Sequence, residues 1–137
     1  MTAHRPRLFV AEALGTGLLV AAVVGSGIMA EQLAAGQQAV ALLANTIATG
    51  GALIALILTF GPVSGAHFNP VVSAQQVLAG GMRPRLALVY IAGQAVGAVA
   101  GAILANAMFD LDVVAMSRHG RAGGALLLSE AVATFGL

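Results

Sequence analysis

The sequence predicts an all-α membrane protein with three complete transmembrane helices, one re-entrant half-helix and the start of a fourth span. Composition is the first reason: of 137 residues, 59% are hydrophobic and only 8% are charged, and the mean hydropathy is +0.96. Soluble domains carry about 25% charged residues. The second reason is three apolar stretches of spanning length, and the third is a short apolar stretch that follows an Asn-Pro pair. We therefore expect the lipid bilayer to be the main partner of the surface.

The three spanning stretches occupy residues 8–30, 39–60 and 87–109. About 20 apolar residues cross the hydrocarbon core as a helix. The first stretch contains one charge, Glu12, and the other two contain none. Arginines before the first stretch resemble the start of a signal peptide, but the apolar region of a signal peptide has only about 7–15 residues. We therefore predict that the first stretch is a retained transmembrane helix.

A fourth apolar stretch begins near residue 125 and continues, interrupted by Glu130, until the sequence stops at Leu137. A stretch of about 13 residues is too short to span a bilayer, since a span needs about 20. The sequence therefore predicts that this span is truncated, and that the domain over residues 1–137 is a truncated form of a larger membrane domain.

Between the second and third spans, residues 61–70 are rich in glycine and proline, which makes them a poor helix. Pro70 follows Asn69, and proline after a capping residue is typical of a helix start. The apolar residues 71–78 that follow are too few to span and suit a re-entrant half-helix. The alternative is an ordinary polar loop with a short surface helix.

The arginines in the short loops predict the orientation. Arg5 and Arg7 precede the first span, and Arg83 and Arg85 precede the third. Two helices and a re-entrant loop separate the pairs, so both fall on one side, which we predict to be cytoplasmic. Two further arginines at 118–121 fall on the other side, against this rule.

A faint internal repeat relates the first span to the last. Glu12 and Glu130 are each followed four residues later by a threonine. Three complete spans separate the two copies, so the second copy would enter the membrane from the opposite side, as in the inverted repeats of transport proteins. The pattern predicts a first repeat over residues 8–109 and the start of an inverted second repeat over 125–137.

The residue inventory argues against several function classes. The net charge is +1, whereas nucleic-acid binding needs a basic surface. Cysteine is absent, which excludes disulfides and thiolate chemistry. His67 has no partner at metal-ligand spacing, and no catalytic constellation stands out. The sequence therefore predicts a protein that is not an enzyme and that uses no cofactor, no metal and no nucleic acid.

Two kinds of residue inside the spans call for an explanation. Gly93, Gly97 and Gly101 recur at four-residue spacing, which allows two helix backbones to approach closely and predicts helix packing. Glu12 and Glu130 are carboxylates, which are expensive in lipid unless they have partners. One reading is a proton relay. The other, which we favour because no second ionisable group is near in sequence, is a structural carboxylate that accepts hydrogen bonds from irregular backbone.

The start of the half-helix offers chemistry that suits a neutral solute. A helix N-terminus presents free N–H groups and about half a positive charge, which opposes passing cations. The Asn69 carboxamide can donate to a solute oxygen, and carbonyls over residues 64–68 can accept, so that together they replace a neutral solute's hydration. The alternative is a plain Asn N-cap. We interpret His67 as shaping the loop at the mouth of the pore.

The segment 64–70 reads SGAHFNP and resembles the first signature of the aquaporin, or major intrinsic protein, family. Glu12 and Glu130, each with its threonine, resemble the family's motifs on the first and fourth helices, and Gln94 and Gly97 look like its residues on the third. The resemblance covers essentially the whole chain. It implies an aquaporin-like right-handed bundle of six helices and two half-helices around one pore, and a homotetramer for a full-length protein.

By the same resemblance, Asn69 and Pro70 belong to the first of two pore motifs, and Thr49 looks like the selectivity-filter position of the second helix. Water-selective members often have a bulky aromatic there, so a small threonine implies a wider filter that admits water, glycerol-like polyols or neutral arsenite. The resemblance also implies backbone carbonyls along the solute path at Gly65, Ala66 and His67.

The sequence departs from the family pattern in two ways. Val71 stands where the motif usually has alanine, which is expected to change half-helix packing or pore width. The second pore motif and the filter arginine have no counterpart among the residues up to Leu137. The sequence is also similar to bacterial members linked to arsenic resistance, which implies an integral protein of the bacterial inner membrane with a cytoplasmic N-terminus.

Two other functions stay open at this point. One is a non-conducting membrane fragment, because half of the pore is not in view and open backbone at membrane depth needs protein or a cavity around it. The other is half of an ion-coupled transporter, since transporters also contain broken helices. In that case Glu12 or Glu130 would titrate during transport.

Overall fold

The computed structural model describes residues 5–114 and 123–135, and every element within these two ranges is a helix. Three of the helices, with 29, 27 and 25 residues, are long and apolar enough to cross a membrane. The prediction of an all-α membrane protein is therefore confirmed. In chain order the elements are α1 (Arg5–Leu33), α2 (Gln38–Ser64), α3 (Pro70–Leu78), α4 (Pro84–Met108) and α5 (Gly124–Phe135).

Some residues singled out in the sequence lie outside the described part of the structure. Arg118 and Arg121 fall in the segment between the two ranges. Glu130 and Thr134 belong to α5, but their side chains are outside the description. The predicted repeat between the first and last spans therefore stays a prediction.

The helices α1 and α4 cross at glycines and run parallel. A Cβ atom added to Gly97 would overlap the carbonyl oxygen of Ala13, and one added to Gly101 would overlap that of Gly17. Contacts advance by four residues on both helices, so both chains run in the same direction. The absence of a side chain at these positions lets the two backbones touch, which is how helices associate in lipid. The arginines at the N-terminal ends of α1 (Arg5, Arg7) and α4 (Arg83, Arg85) consequently lie at the same end.

The end of α2 differs from the sequence-based expectation. Residues 61–70 were expected to be a poor helix, but α2 continues through Gly61 and Pro62 to Ser64. Proline removes one backbone donor and clashes with the preceding turn, yet membrane helices tolerate it where neighbouring groups compensate. The helix ends at Gly65, whose φ of 87° is left-handed and whose N–H donates to the Gly61 carbonyl at 2.9 Å. The irregular segment is thus shorter than expected.

The short helix α3 has nine residues, too few to span, and packs on α4. The sequence placed Pro70 at the first helical position, and α3 begins there. By contrast α2 spans without burying its apolar side chains: Leu42, Ile47 and Leu58 are each more than 60% exposed. Such a surface suits hydrocarbon rather than water. The order of packing is therefore α1 in the centre, with α2 on one side and α4, which carries α3, on the other.

Candidate functional site

The loop between α2 and α3 has an unusual backbone. Ala66 and Phe68 have φ values of 53° and 50°, and Gly65 before them is also left-handed. The left-handed region costs a residue with a Cβ roughly 1–2 kcal/mol. Two such residues within three positions persist only when the surroundings hold them. The loop must therefore be fixed by contacts from other elements.

The main contact is the carboxylate of Glu12, which is fully buried on α1. Its Oε1 accepts from Ser64 Oγ at 2.6 Å and from the His67 N–H at 3.1 Å. Its Oε2 accepts from the Phe68 N–H at 2.9 Å and from Gln94 Nε2 at 2.8 Å. Every partner is a donor, which is the environment that an ionised carboxylate needs when buried. One side chain thereby ties α2, the loop and α4 to α1.

A second layer of polar groups holds the other side of the loop. Ser73 on α3 is fully buried, and its Oγ accepts from Gln94 Nε2 at 3.1 Å and lies 3.0 Å from Nδ1 of His67. Tyr90 on α4 donates its hydroxyl to the Ser64 carbonyl at 2.7 Å, and its ring lies 4.9 Å from the imidazole of His67. The loop is thus held by α1 from one side and by α3 and α4 from the other.

The Gln94 carboxamide has a defined orientation. Its nitrogen faces the Glu12 carboxylate, because turning the amide would bring its oxygen against a carboxylate oxygen. The opposite atom, Oε1, is buried and accepts no hydrogen bond from the described residues, and the same is true of Thr16 Oγ1. The network therefore favours the bonds to Glu12 and Ser73 and leaves these two acceptors unmatched.

An aromatic contact completes the anchoring. Phe68 is 6% exposed and meets the ring of Phe60 edge to face, with centroids 6.0 Å apart. Its own ring occupies the space where a side chain on Gly15 would lie. Gly15 on α1 thus makes room for the ring of Phe68. The N–H of Phe68 is bonded to Glu12 on the same helix.

The inward direction of the loop N–H groups determines where its carbonyls go. The N–H groups of His67 and Phe68 point to Glu12, and that of Ala66 points to Ser64 Oγ at 3.1 Å. The carbonyls of residues 65–67 accept no hydrogen bond from any described residue. Unpaired carbonyls in a membrane protein need water or another polar group. Three adjacent acceptors are therefore available to a solute.

Asn69 is both a cap and a free donor. Its backbone is extended, and its Oδ1 accepts from the Val71 N–H at 2.9 Å, so it is the N-cap of α3 with Pro70 in the first position. Because the oxygen faces the helix, the amide nitrogen faces away, and within the described residues it makes no hydrogen bond. The sequence offered Asn69 either as an N-cap or as a donor to a solute, and in this geometry the side chain can do both. Val71, the departure from the usual motif, is 50% exposed.

Thr49 lies apart from this loop, on α2. Its Oγ1 is 3.4 Å from the terminal amide of Asn45, which in turn lies 2.7 Å from Ser26 Oγ on α1. No hydrogen bond connects Thr49 to the loop among the described residues. The structure thus has two polar clusters: the Glu12 cluster, defined by Glu12, Ser64, Ser73, Tyr90 and Gln94 with the loop, and the Asn45 cluster, defined by Ser26, Asn45 and Thr49.

Several residues of these clusters were missed in the sequence. Ser73, Tyr90, Gly15 and Asn45 were not singled out. For Tyr90 a signal existed, because it lies three residues before Gly93 and so shares the face of the glycine stripe. For the others the sequence offers no periodic signal.

Comparison with known proteins agrees with this architecture. A family model described as major intrinsic protein matches residues 2–137 of the chain. The chain belongs to the major intrinsic protein family. This membership accounts for the length over which the signature and the helix motifs agree, and it makes the chain an integral membrane protein with the family's fold.

Relatives within the major intrinsic protein family include bacterial, plant and animal proteins. Aquaglyceroporin AqpS of Rhizobium meliloti is 57% identical over 131 residues, which cover 96% of this chain and 56% of that protein. Probable aquaporin PIP2-8 of Oryza sativa is 35% identical over 138 residues, which cover 94% and 48%. Aquaporin-8 of Rattus norvegicus is 43% identical over 65 residues. The chain spans about half the length of the first two of these relatives.

Proposed function

We propose that the protein containing this chain is a passive transmembrane channel for small uncharged solutes, wide enough for glycerol-like polyols and neutral arsenite as well as water. The observation that carries the proposal is the loop: three adjacent carbonyls at residues 65–67 and, two residues further along the chain, the amide nitrogen of Asn69 have no partner among the described residues. A row of acceptors next to a donor can replace the hydration of a neutral solute.

The same arrangement disfavours charged solutes. Asn69 caps the N-terminus of α3, where the helix dipole places about half a positive charge. A cation that approaches this end meets an unfavourable field, while a neutral solute does not. The site contains no free carboxylate that would offset this field, because the four hydrogen bonds of Glu12 are directed away from the solute path to the anchoring groups.

The width of the pore rests on Thr49. By its place in the family pattern this residue belongs to the selectivity filter, and threonine is smaller than an aromatic residue. A wider filter admits solutes with several hydroxyl groups, and undissociated arsenite has the same three-hydroxyl surface. The name of the relative from Rhizobium meliloti, an aquaglyceroporin, supports this solute class.

Saturation of Glu12 favours a passive mechanism over ion coupling. A carboxylate that carries protons during transport must lose and regain hydrogen-bond partners. Glu12 has four donors and is 0% exposed, so protonation would break at least one bond in the loop anchor. We assign it a structural role and extend the same role to Glu130 in the inverted second repeat.

The family pattern completes the proposal. The repeats comprise residues 8–109 and a second repeat that starts at 125–137, and the assembled protein is a homotetramer in the bacterial inner membrane. We place the N-terminus in the cytoplasm because the arginines at the N-terminal ends of α1 and α4 lie at one end.

The experiment is a stopped-flow swelling assay on the native protein in proteoliposomes, with glycerol and arsenite as permeants. We expect faster entry than in empty vesicles and no response to a proton or sodium gradient. The variant Asn69→Leu should reduce the rate, and Asn106→Leu, a change of the same kind on α4, should not. Equal rates in protein-containing and empty vesicles would refute the channel, and dependence on an ion gradient would point to coupled transport.

A further inference from the structure

The second polar cluster suggests how the filter residue is oriented. We propose that Asn45, braced by Ser26, is a positioning residue for solute selection: its carboxamide donates a hydrogen bond to Thr49, so that the Thr49 hydroxyl hydrogen remains free to donate to a solute. The inference rests on the proposed role of Thr49 in the filter. It adds two residues that the loop and its anchors do not include.

The first step is a count of hydrogens at Ser26. Its Oγ lies 2.6 Å from the Ala22 carbonyl oxygen and 2.7 Å from the terminal atom of Asn45 that is assigned as Oδ1. A serine hydroxyl has one hydrogen and a carbonyl has none to give. Two acceptors cannot share one hydrogen at such short distances, so one of the two contacts must be a bond in which Ser26 accepts.

Only Asn45 can supply that second hydrogen. Amide oxygen and nitrogen are distinguished by their hydrogen-bond network. If the Asn45 amide nitrogen faces Ser26, then Ser26 donates to Ala22, and Asn45 donates to Ser26. Both short contacts of Ser26 are then satisfied, and its longer 3.3 Å approach to the Val23 carbonyl is not needed. The amide nitrogen also carries a second hydrogen, and the other hydroxyl within reach of the same atom is that of Thr49, at 3.4 Å.

The second step concerns the hydrogen of Thr49. Two other threonines on α2, Thr46 and Thr59, each donate to the carbonyl four residues earlier, at 2.8 Å. A threonine hydroxyl in a helix commonly donates to the backbone carbonyl four residues earlier in this way. Thr49 makes no such bond within the described residues and meets the side chain of Asn45 instead. A hydroxyl that accepts from Asn45 keeps its own hydrogen available.

The consequence is a filter wall with a defined polarity. Ser26 fixes the Asn45 amide across the α1–α2 interface, and the amide fixes the acceptor side of Thr49. The solute then meets an O–H donor rather than a hydroxyl that is turned back to its own helix. A polyol or arsenite oxygen can accept from this donor, and the long 3.4 Å contact leaves Thr49 room to adjust.

The test is the ratio of glycerol to water permeability of the native protein in proteoliposomes. A ratio measured on the same preparation does not depend on how much protein is folded. Glycerol fills the filter and must touch its wall, whereas water can pass a wide filter with fewer wall contacts. Thr49→Val should lower the ratio by roughly fivefold, which is the effect of about one net hydrogen bond.

Asn45→Leu, which keeps a similar volume, should lower the ratio in the same direction by roughly twofold to fivefold, and Ser26→Ala by roughly twofold. In a Thr49→Val background both changes should leave the ratio unaltered, because residues that act through one group are not additive. Thr46→Val is the matched control on the same helix and should have no effect in either background.

The outcomes separate this inference from the proposal on which it rests. If Thr49→Val lowers the ratio while Asn45→Leu and Ser26→Ala do not, Asn45 is not a positioning residue although Thr49 is in the filter. If Thr49→Val leaves the ratio unchanged while the protein conducts, the filter assignment fails and this inference fails with it. If Asn45→Leu does not fold, the result for Ser26→Ala decides.

Discussion

The helices α4 and α2 both pack against α1, but they do so by different means. α4 buries seven residues, including three glycines, a tyrosine and a glutamine, and its glycines touch the backbone of α1. α2 buries only Ser64 among its described residues, at its last position. The α4 side joins backbone to backbone and supplies one of the four donors to the Glu12 carboxylate, from Gln94. The α2 side joins through the half-buried Asn45 cluster and through Ser64 at its last position, and the other described helices leave most of its apolar residues uncovered.

The difference indicates which contacts hold the fold and which are free to set selectivity. In lipid there is no hydrophobic drive between helices, so close backbone packing and satisfied polar groups carry the association. Those features are concentrated between α1, α4 and the loop. Substitutions there should lower stability, whereas substitutions in the Asn45 cluster should act on permeation with little effect on stability.

The strongest way to break the α4 side is Glu12→Gln. The glutamine amide presents hydrogens to at least one of the groups that now donate, so buried donors lose their acceptor. A hydrogen bond to a charged group contributes about 1.5–3 kcal/mol, and a buried donor left without its acceptor costs about 1–3 kcal/mol. We expect a large fall in the thermal midpoint of the detergent-solubilised protein. The midpoint is measured as the loss of the size-exclusion peak of the folded protein after heating. Glu31→Gln, at the exposed end of α1, is the control, and equal midpoints for the two variants would contradict the assigned role of Glu12.

The next effect is expected at the glycine crossing. Gly97→Ala places a methyl group on the Ala13 carbonyl, so α1 and α4 must separate, and overpacking costs about 1–3 kcal/mol. Gly51→Ala on α2 meets nothing within 4 Å and should be neutral or stabilising by about 0.4–1 kcal/mol. The same thermal assay measures both variants. A lower midpoint for Gly51→Ala than for Gly97→Ala would show that α2, rather than the α1–α4 crossing, is the more tightly packed region.

A smaller effect is expected for Tyr90→Phe. The change removes one hydroxyl, leaves the ring beside His67, and deprives the Ser64 carbonyl of its donor at 2.7 Å. Loss of one buried hydrogen bond costs about 1–2 kcal/mol. The thermal midpoint should fall modestly, and glycerol permeability should fall with it if the loop shifts. An unchanged midpoint would show that the tyrosine hydroxyl is not part of the anchor.

The smallest effect is expected for a substitution on the exposed face of α2 that carries Thr59. Thr59→Val removes a hydroxyl that bonds only the Ala55 carbonyl of its own helix and is exposed. Surface changes of this kind stay within about 0.5 kcal/mol. Both the midpoint and the glycerol-to-water ratio should match those of the native protein. A large change in the midpoint would mean that α2 contributes more to stability than its burial indicates.

The helices and the loop could be predicted from the sequence because their signals are local. Spanning length, the Asn-Pro start and the glycine stripe each fall within a few turns of one element. The partners of Glu12 could not be predicted, since they lie 52 to 82 residues away in the sequence. The left-handed backbone of Ala66 and Phe68 contradicts local preference and is explained by the bonds that Glu12, Ser73 and Tyr90 make to the loop and its flanks. The helical state of Pro62 also departs from local propensity, as membrane helices allow.

The contact between Ser26 and Asn45 was invisible for a related reason. Both are single polar residues in apolar stretches, and nothing in either stretch shows that they face each other across the α1–α2 interface. The signature around Asn69 can be recognised from consecutive residues. A pair such as Ser26 and Asn45 is recognised only once the two helices are placed side by side.

The position of Glu12 early in the chain has a consequence for biosynthesis. Its last hydrogen-bond donor, Gln94, is 82 residues further along. At a synthesis rate of about 5–20 residues per second, the ribosome reaches that donor roughly 4–16 seconds after it adds the glutamate. The first helix must therefore enter the translocation machinery before its carboxyl group has a partner. Until Ser64, the loop and Gln94 have been synthesised, this carboxyl group lacks the four donors that surround it in the folded chain.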